Sequence, residues 1–201
     1  MKTGLINNLI AGGVLKTPNL IAAFKAIDRA AFVPPELSGA AYEDIPLPIG
    51  DGQTISQPWT VAFMLELLQP QPGDRVLDIG SGSGWSTALL AHAVGPGGFV
   101  LGLERIGQLV ALGRNNLQKA GIKNAAIEPA GPQAGKPGER FDRILVSASA
   151  DRPVPELLEQ IAPGGRLVMP VNESIWLYET DRAGRVAARE YPGFRFVPLI
   201  L

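Results

Sequence analysis

Residues 75–85, RVLDIGSGSGW, constrain the fold of this chain more than any other stretch. An apolar strand ends in Asp78, passes through Gly80, Gly82 and Gly84, and opens a helix at Ser86. Glycines at this spacing belong where a backbone turns sharply and comes close to a ligand, and the helix that follows presents unpaired N–H groups. From Asp74 onward short apolar runs (RVLDIG, FVLGLE, NAAIEPA, FDRILVSAS, RLVMPV, IWLYET) are interleaved with helical segments such as SGWSTALLAHAVG, IGQLVALGRNNLQKAG and PVPELLEQIAPGG. That alternation predicts a doubly wound α/β fold, its mostly parallel sheet covered on both faces.

The N-terminal third reads differently. Residues 17–33 have helical spacing, with Thr17 as cap and Pro18 as first helical residue, and the run stops at Pro34-Pro35. Residues 36–56 read as loop, and SQPWTVAFMLELLQP restarts a helix, with Ser56 or Gln57 near its cap. At the other end, a turn at DRAGR can join neighbouring strands only antiparallel, which predicts a hairpin edge and a final extended segment, FRFVPLIL. The expectation is a single domain over residues 1–201, with N-terminal helices and a substrate loop over 1–73 and the sheet core over 74–201.

Composition narrows the function. With 18 Lys and Arg interspersed among 19 Asp and Glu, no basic stripe exists to neutralise a phosphate backbone, so nucleic acid is not the expected partner. The absence of cysteine excludes a disulfide, a thiol nucleophile and a thiolate metal site, and no metal is expected. The single histidine, His92, reads as a helix residue. Asn7 and Asn8 interrupt the opening before a signal-peptide core could form, and no run approaches the roughly 20 apolar residues of a membrane span. A cytoplasmic monomer without membrane contact is the expectation.

Glu104 closes the strand after the glycine loop, where an acid can accept both ribose hydroxyls of an adenosine ligand. Asp78 discriminates between such ligands, because a carboxylate just before the glycine turn repels a pyrophosphate and favours a cationic sulfonium. S-adenosylmethionine is therefore the expected cofactor, with Asp78, Gly80, Ser81, Gly82, Ser83, Gly84, Glu104 and Arg105 as its candidate residues. A nicotinamide oxidoreductase is disfavoured by Asp78 and by the lack of an evident hydride-transfer residue.

The blocks AYEDIPLPIGDGQTISQPWTVAFMLELL, GDRVLDIGSGSGWSTALLA, FDRILVSAS and LLEQIAPGGRLVMPV, together with Glu104, resemble the protein-L-isoaspartate O-methyltransferase family over about residues 17–200. The glycine loop is shared with methyltransferases at large, whereas the PLPIG-x-GQTIS-x-P loop is specific to this family. The resemblance implies a Rossmann-like fold and carboxyl methyl transfer to L-isoaspartyl or D-aspartyl residues of a protein or peptide. It places Thr54, Ile55 and Ser56 in the substrate and cofactor loop, with Ser56 at the catalytic position. A carboxylate is already ionised at pH 7, so a chain with one histidine and no cysteine suits this chemistry.

Two other readings share the fold: a dedicated aspartyl methyltransferase of one peptide partner, and a silent relative that binds cofactor or peptide without turnover. The chain also departs from the family pattern. Gly131 or Pro132 stands where an adenine-binding aspartate is usual, with Gln133 as a substitute; Asp51 replaces a histidine or tyrosine, and Trp85 a tyrosine.

Overall fold

Proline opens two helices of the N-terminal third. In the computed structural model, which describes residues 2–200, helix α1 (Lys2–Ala11) leads into α2 (Pro18–Ala26), and a later helix α3 (Pro58–Leu68) likewise begins at its proline. Thr17 precedes α2 as predicted, but its hydroxyl does not cap that helix. It donates instead to Glu66 Oε2 of α3 at 2.7 Å, while Glu66 Oε1 accepts the Lys16 and Thr17 amides at 2.7 Å each. A carboxylate from one helix thus serves the N-terminus of another, where its charge also suits the dipole.

Helix α2 ends at Ala26 rather than running to Val33. Asp28 accepts a hydrogen bond from the Ala30 amide at 3.1 Å, a local bond that competes with helical continuation and starts a 3-10 turn over Arg29–Phe32. A second 3-10 turn spans Pro35–Ala40. The stretch read as loop contains an antiparallel hairpin, β1 (Leu47–Gly50) with β2 (Gln53–Ile55), turned at Asp51 and Gly52, both with positive φ.

The main sheet has seven strands: β3 (Arg75–Ile79), β4 (Phe99–Glu104), β5 (Ala125–Pro129), β6 (Phe141–Val146), β7 (Ile161–Val171), β8 (Ser174–Thr180) and β9 (Val186–Pro192). Their order is β5-β4-β3-β6-β7-β8-β9, parallel from β5 to β7 and antiparallel from β7 to β9. Helices α4 (Trp85–Val94) and α5 (Gly107–Lys119) return the chain from β3 to β4 and from β4 to β5. With α3 they bury one face of the sheet, to which Val76, Val100, Leu145 and Val168 point, and α1 and α2 extend the same apolar core over these helices. On the other face Leu77, Leu103, Ile144 and Leu167 are covered by Ala134, Val154 and Leu157 from connecting segments.

Three details differ from the sequence reading. The helix expected over PVPELLEQIAPGG shrinks to α6 (Pro155–Leu158), because Pro163 and the Gly164-Gly165 pair turn the chain early into a bulged start of β7. The turn at DRAGR joins β8 to VAAREYP, not to FRFVPLIL. After β9 the Gly193 and Phe194 amides both donate to Glu173 O at 2.9 Å, and the last segment leaves the sheet edge to make one bridge, Ser149 with Pro198. Among the described residues no helix is long and apolar enough to cross a membrane.

Glu66 ties the helical layer together, so Glu66→Ala should lower the thermal midpoint. Three hydrogen bonds to a charged acceptor are lost, a cost of about 1–3 kcal/mol, or about 3–10 °C for a chain of this length. Glu66→Gln keeps one acceptor and should lose less; equal midpoints for all three proteins by scanning calorimetry would remove Glu66 from this role.

Candidate active site

The strand–loop–helix of residues 75–85 sets the floor of the site. Gly80 turns the chain with φ +77°, and Gly84, at φ +89°, is the residue before α4. The loop is held by its own amides: Gly80 and Ser81 donate to Leu103 O at 2.8 and 3.2 Å, Gly82 to Glu104 Oε2 at 3.0 Å, and Gly84 to Ser81 O at 2.8 Å.

Asp78 lies behind this loop, fully buried, and its side chain does not line the cavity in front. Its Oδ2 accepts from Ser86 Oγ at 2.8 Å and Thr87 Oγ1 at 2.6 Å, so it anchors the first turn of α4 to the end of β3. Burial pushes the carboxyl up from 3.8 to about 6; the two hydroxyl bonds pull it back and the Glu104 charge adds to the rise.

Glu104 faces the cavity at the end of β4 with 6% exposure. Its Oε1 accepts from the Ile106 amide at 2.9 Å and its Oε2 from Gly82. Each oxygen keeps a lone pair free for a ligand hydroxyl. Arg105 follows at the exposed rim.

The opposite wall is the hairpin, which contributes Ile49, Gln53, Thr54, Ile55 and then Ser56. It reaches the glycine loop directly, since a Cβ added at Gly82 would stand 3.1 Å from Ile49 Cδ1. Ser56 is half-buried, and none of the side-chain hydrogen bonds among the described residues involves its Oγ. Helix α3 starts after Gln57, and the Trp59 amide in its first turn is bonded by Asp44 Oδ1 at 2.8 Å. Asp44 therefore does the capping that sequence reasoning left to Ser56 or Gln57, and Ser56 Oγ is left to the cavity. Asp51 sits at the exposed hairpin tip, outside the lining.

A third wall carries Ala130, Gly131, Gln133 and Gly135, whereas Pro132 is not part of the lining. Ser147 and Ala148, just past the end of β6, complete it. Sequence reasoning passed over these two, although residues beyond the carboxyl ends of central strands are where ligands bind in such sheets. Val197 to Ile200 close the remaining side, with nothing in their sequence to mark them. Together these walls enclose about 320 Å³. Of the candidates, Thr54, Ile55, Ser56, Gly80, Ser81, Gly82, Ser83, Glu104 and Arg105 meet there; Asp78 and Gly84 support the loop from behind.

A doubly wound sheet with a glycine loop after its central strand and an acid at the end of the neighbouring strand defines the class of proteins that hold an adenosine-bearing cofactor at the strand ends. Within that class the chain belongs to the protein-L-isoaspartate(D-aspartate) O-methyltransferase family, whose model matches residues 1–201. It is 44% identical over 202 residues to the protein-L-isoaspartate O-methyltransferase of Aeropyrum pernix, covering 98% of this chain and 78% of that one. The Ignicoccus hospitalis relative of the same name is 43% identical over 205 residues, covering 99% and 97%. A crystal structure assigned to the Plasmodium falciparum protein-L-isoaspartate O-methyltransferase, in complex with S-adenosyl-L-homocysteine, superimposes with a TM-score of 0.85 at 28% identity, covering 98% of this chain and 97% of that one.

The buried carboxyl makes a pH-dependent prediction. Because the folded state holds the Asp78 proton more tightly than the unfolded chain, this group favours folding below pH 3.8, and that contribution is lost as pH rises through about 6. The rise from 3.8 to about 6 corresponds to about 3 kcal/mol. Asp78→Asn lacks this titration, so relative to the unmutated protein its thermal midpoint should improve between pH 4 and pH 7. Parallel midpoint curves would show that Asp78 ionises normally.

Proposed function

We propose that this protein transfers a methyl group from S-adenosylmethionine to the free carboxylate of L-isoaspartyl or D-aspartyl residues in damaged proteins and peptides. The observation that carries the reading is the meeting of Thr54, Ile55 and Ser56 with the glycine loop and Glu104 across one cavity, in a chain of this family.

The residues fit the cofactor. The free lone pairs of Glu104 suit two ribose hydroxyls, and Gln133 offers an amide on the wall where an adenine ring needs a polar partner. The amides of Gly80, Ser81, Gly82 and Gly84 are all donated within the protein, so they hold the loop in shape in front of Glu104. When bound, the cofactor supplies an electrophilic methyl on a sulfonium.

The chain's own task is then to bring a carboxylate oxygen into line and to keep water out. No side chain has to remove a proton, because the attacking carboxylate is ionised at neutral pH. Ser56, with its hydroxyl unengaged, is placed to donate to the substrate carboxylate from the hairpin wall. Thr54 and Ile55 line the approach, and the apolar Val197 and Leu199 shield it from solvent. Orientation of this kind is worth several orders of magnitude in rate.

Two substitutions test the assignment separately. Glu104→Gln should weaken S-adenosyl-L-homocysteine binding by about 1–3 kcal/mol in calorimetry, since a charged acceptor is replaced; an unchanged Kd in the folded variant would exclude a ribose role. Ser56→Ala should lower kcat for an isoaspartyl peptide by about tenfold to a hundredfold while cofactor affinity stays nearly constant. Its thermal midpoint should not fall, because Asp44 holds the helix start. A normal kcat would make the Thr54–Ser56 wall architecture rather than machinery.

A further inference from the structure

Arg29 is only 2% exposed and makes no ion pair with a carboxylate among the described residues. Its two terminal nitrogens are spent on backbone carbonyls, while Nε has no partner among the described residues. Nη1 donates to Ala41 O at 3.0 Å and Glu43 O at 3.3 Å; Nη2 donates to Ile45 O at 2.9 Å, Ser56 O at 3.2 Å and Ile55 O at 3.5 Å. The same group lies over the Trp85 ring, 5.3 Å from its centroid.

These contacts have a pattern. Ile55 and Ser56 belong to the substrate wall, and Trp85 is the first residue of α4, directly after the glycine loop. The remaining acceptors, Ala41, Glu43 and Ile45, lie on the segment that carries Asp44 and runs into the hairpin. One planar fork, anchored in the Arg29–Phe32 turn, therefore holds the two walls between which methyl transfer has to occur. Burial lowers the guanidinium to about 10, with the nearby Asp44 charge opposing that fall, so it stays cationic at neutral pH. Arginine is the one side chain that offers five donors in a fixed plane, and a lysine cannot reproduce that fork.

We propose that Arg29 is a positioning residue that fixes the Ile55–Ser56 step against the glycine loop, so that it governs methyl transfer without governing cofactor binding. This rests on the methyltransferase reading above. Misplacement of a reacting group by about 1 Å costs on the order of a hundredfold in rate, so Arg29→Lys should lose about tenfold to a hundredfold in kcat/KM for an isoaspartyl peptide. Its Kd for S-adenosyl-L-homocysteine should stay within about threefold of the unmutated value.

The shape of the fork gives a second measurement. Arg29→Ala opens a space lined by carbonyls and an indole face, and millimolar guanidinium should restore part of the lost methylation where methylammonium at the same concentration does not. If Arg29→Ala does not fold, the Arg29→Lys comparison decides alone. Unchanged kcat/KM in Arg29→Lys, or a loss of cofactor affinity that matches the loss of kcat/KM, would overturn the proposal. Failure of the unmutated protein to methylate isoaspartyl peptide would instead refute the reading beneath it.

Discussion

One isoleucine sets how closely the cofactor loop lies on the sheet. Ile127 of β5 fills the space under the loop, and two glycines on other elements leave room for it. A Cβ at Gly113 on α5 would stand 2.6 Å from Ile127 Cδ1 and 3.0 Å from Gly82 O; one at Gly102 on β4 would stand 2.9 Å from Ile127 Cγ1 and 3.1 Å from Ser81 Cβ. Real Cβ atoms do not approach so closely without displacement, so either side chain would lift the loop or push α5 away. The seating matters because Gly82 must come within 3.0 Å of Glu104 for the acid to be held in place. Backbone contact at the edge of the sheet therefore precedes everything the cavity does.

This contact also shows what sequence could and could not reveal. The glycine loop and Glu104 were legible because their roles are dictated by adjacent residues: a strand, its end, and a turn that only glycine tolerates. Gly102 and Gly113 were not, since nothing next to them says that Ile127 will arrive from another strand. The hairpin was hidden by Pro46 and Pro48, which read as loop, although Leu47 and Ile49 alternate inward and Asp51-Gly52 is a turn pair. Strand β9 was missed because VAAREYP is exposed along nearly its whole length and carries no burial pattern. The wall formed by Val197 to Ile200 is set by backbone bonds to Ser149 from a distant loop, which no local pattern encodes.

Asp78 and Glu104, two carboxylates at the ends of neighbouring parallel strands, are made to do different work by their partners. Asp78 has hydroxyl donors on one oxygen and protein around the rest, so it fastens α4 to β3 from within. Glu104 has one backbone amide on each oxygen and an open side toward the cavity. The expectation that the Asp78 carboxylate selects the ligand by direct charge is not carried by the geometry, since the group is fully buried behind the loop and lies outside the cavity lining.

The hairpin wall has the opposite character, because its last carbonyls are held while a hydroxyl beside them is left free. The carbonyls of Ile55 and Ser56 are bonded by Arg29, the start of α3 is bonded by Asp44, and the Ser56 hydroxyl remains. For a reaction whose nucleophile arrives already ionised, rate depends on placement rather than on a base of tuned acidity. A chain with no cysteine, and with its one histidine exposed in the last turn of α4, is consistent with that economy. Arg29, Asp44 and Glu104 hold backbone at fixed distances around the cavity, and the backbone then holds the serine.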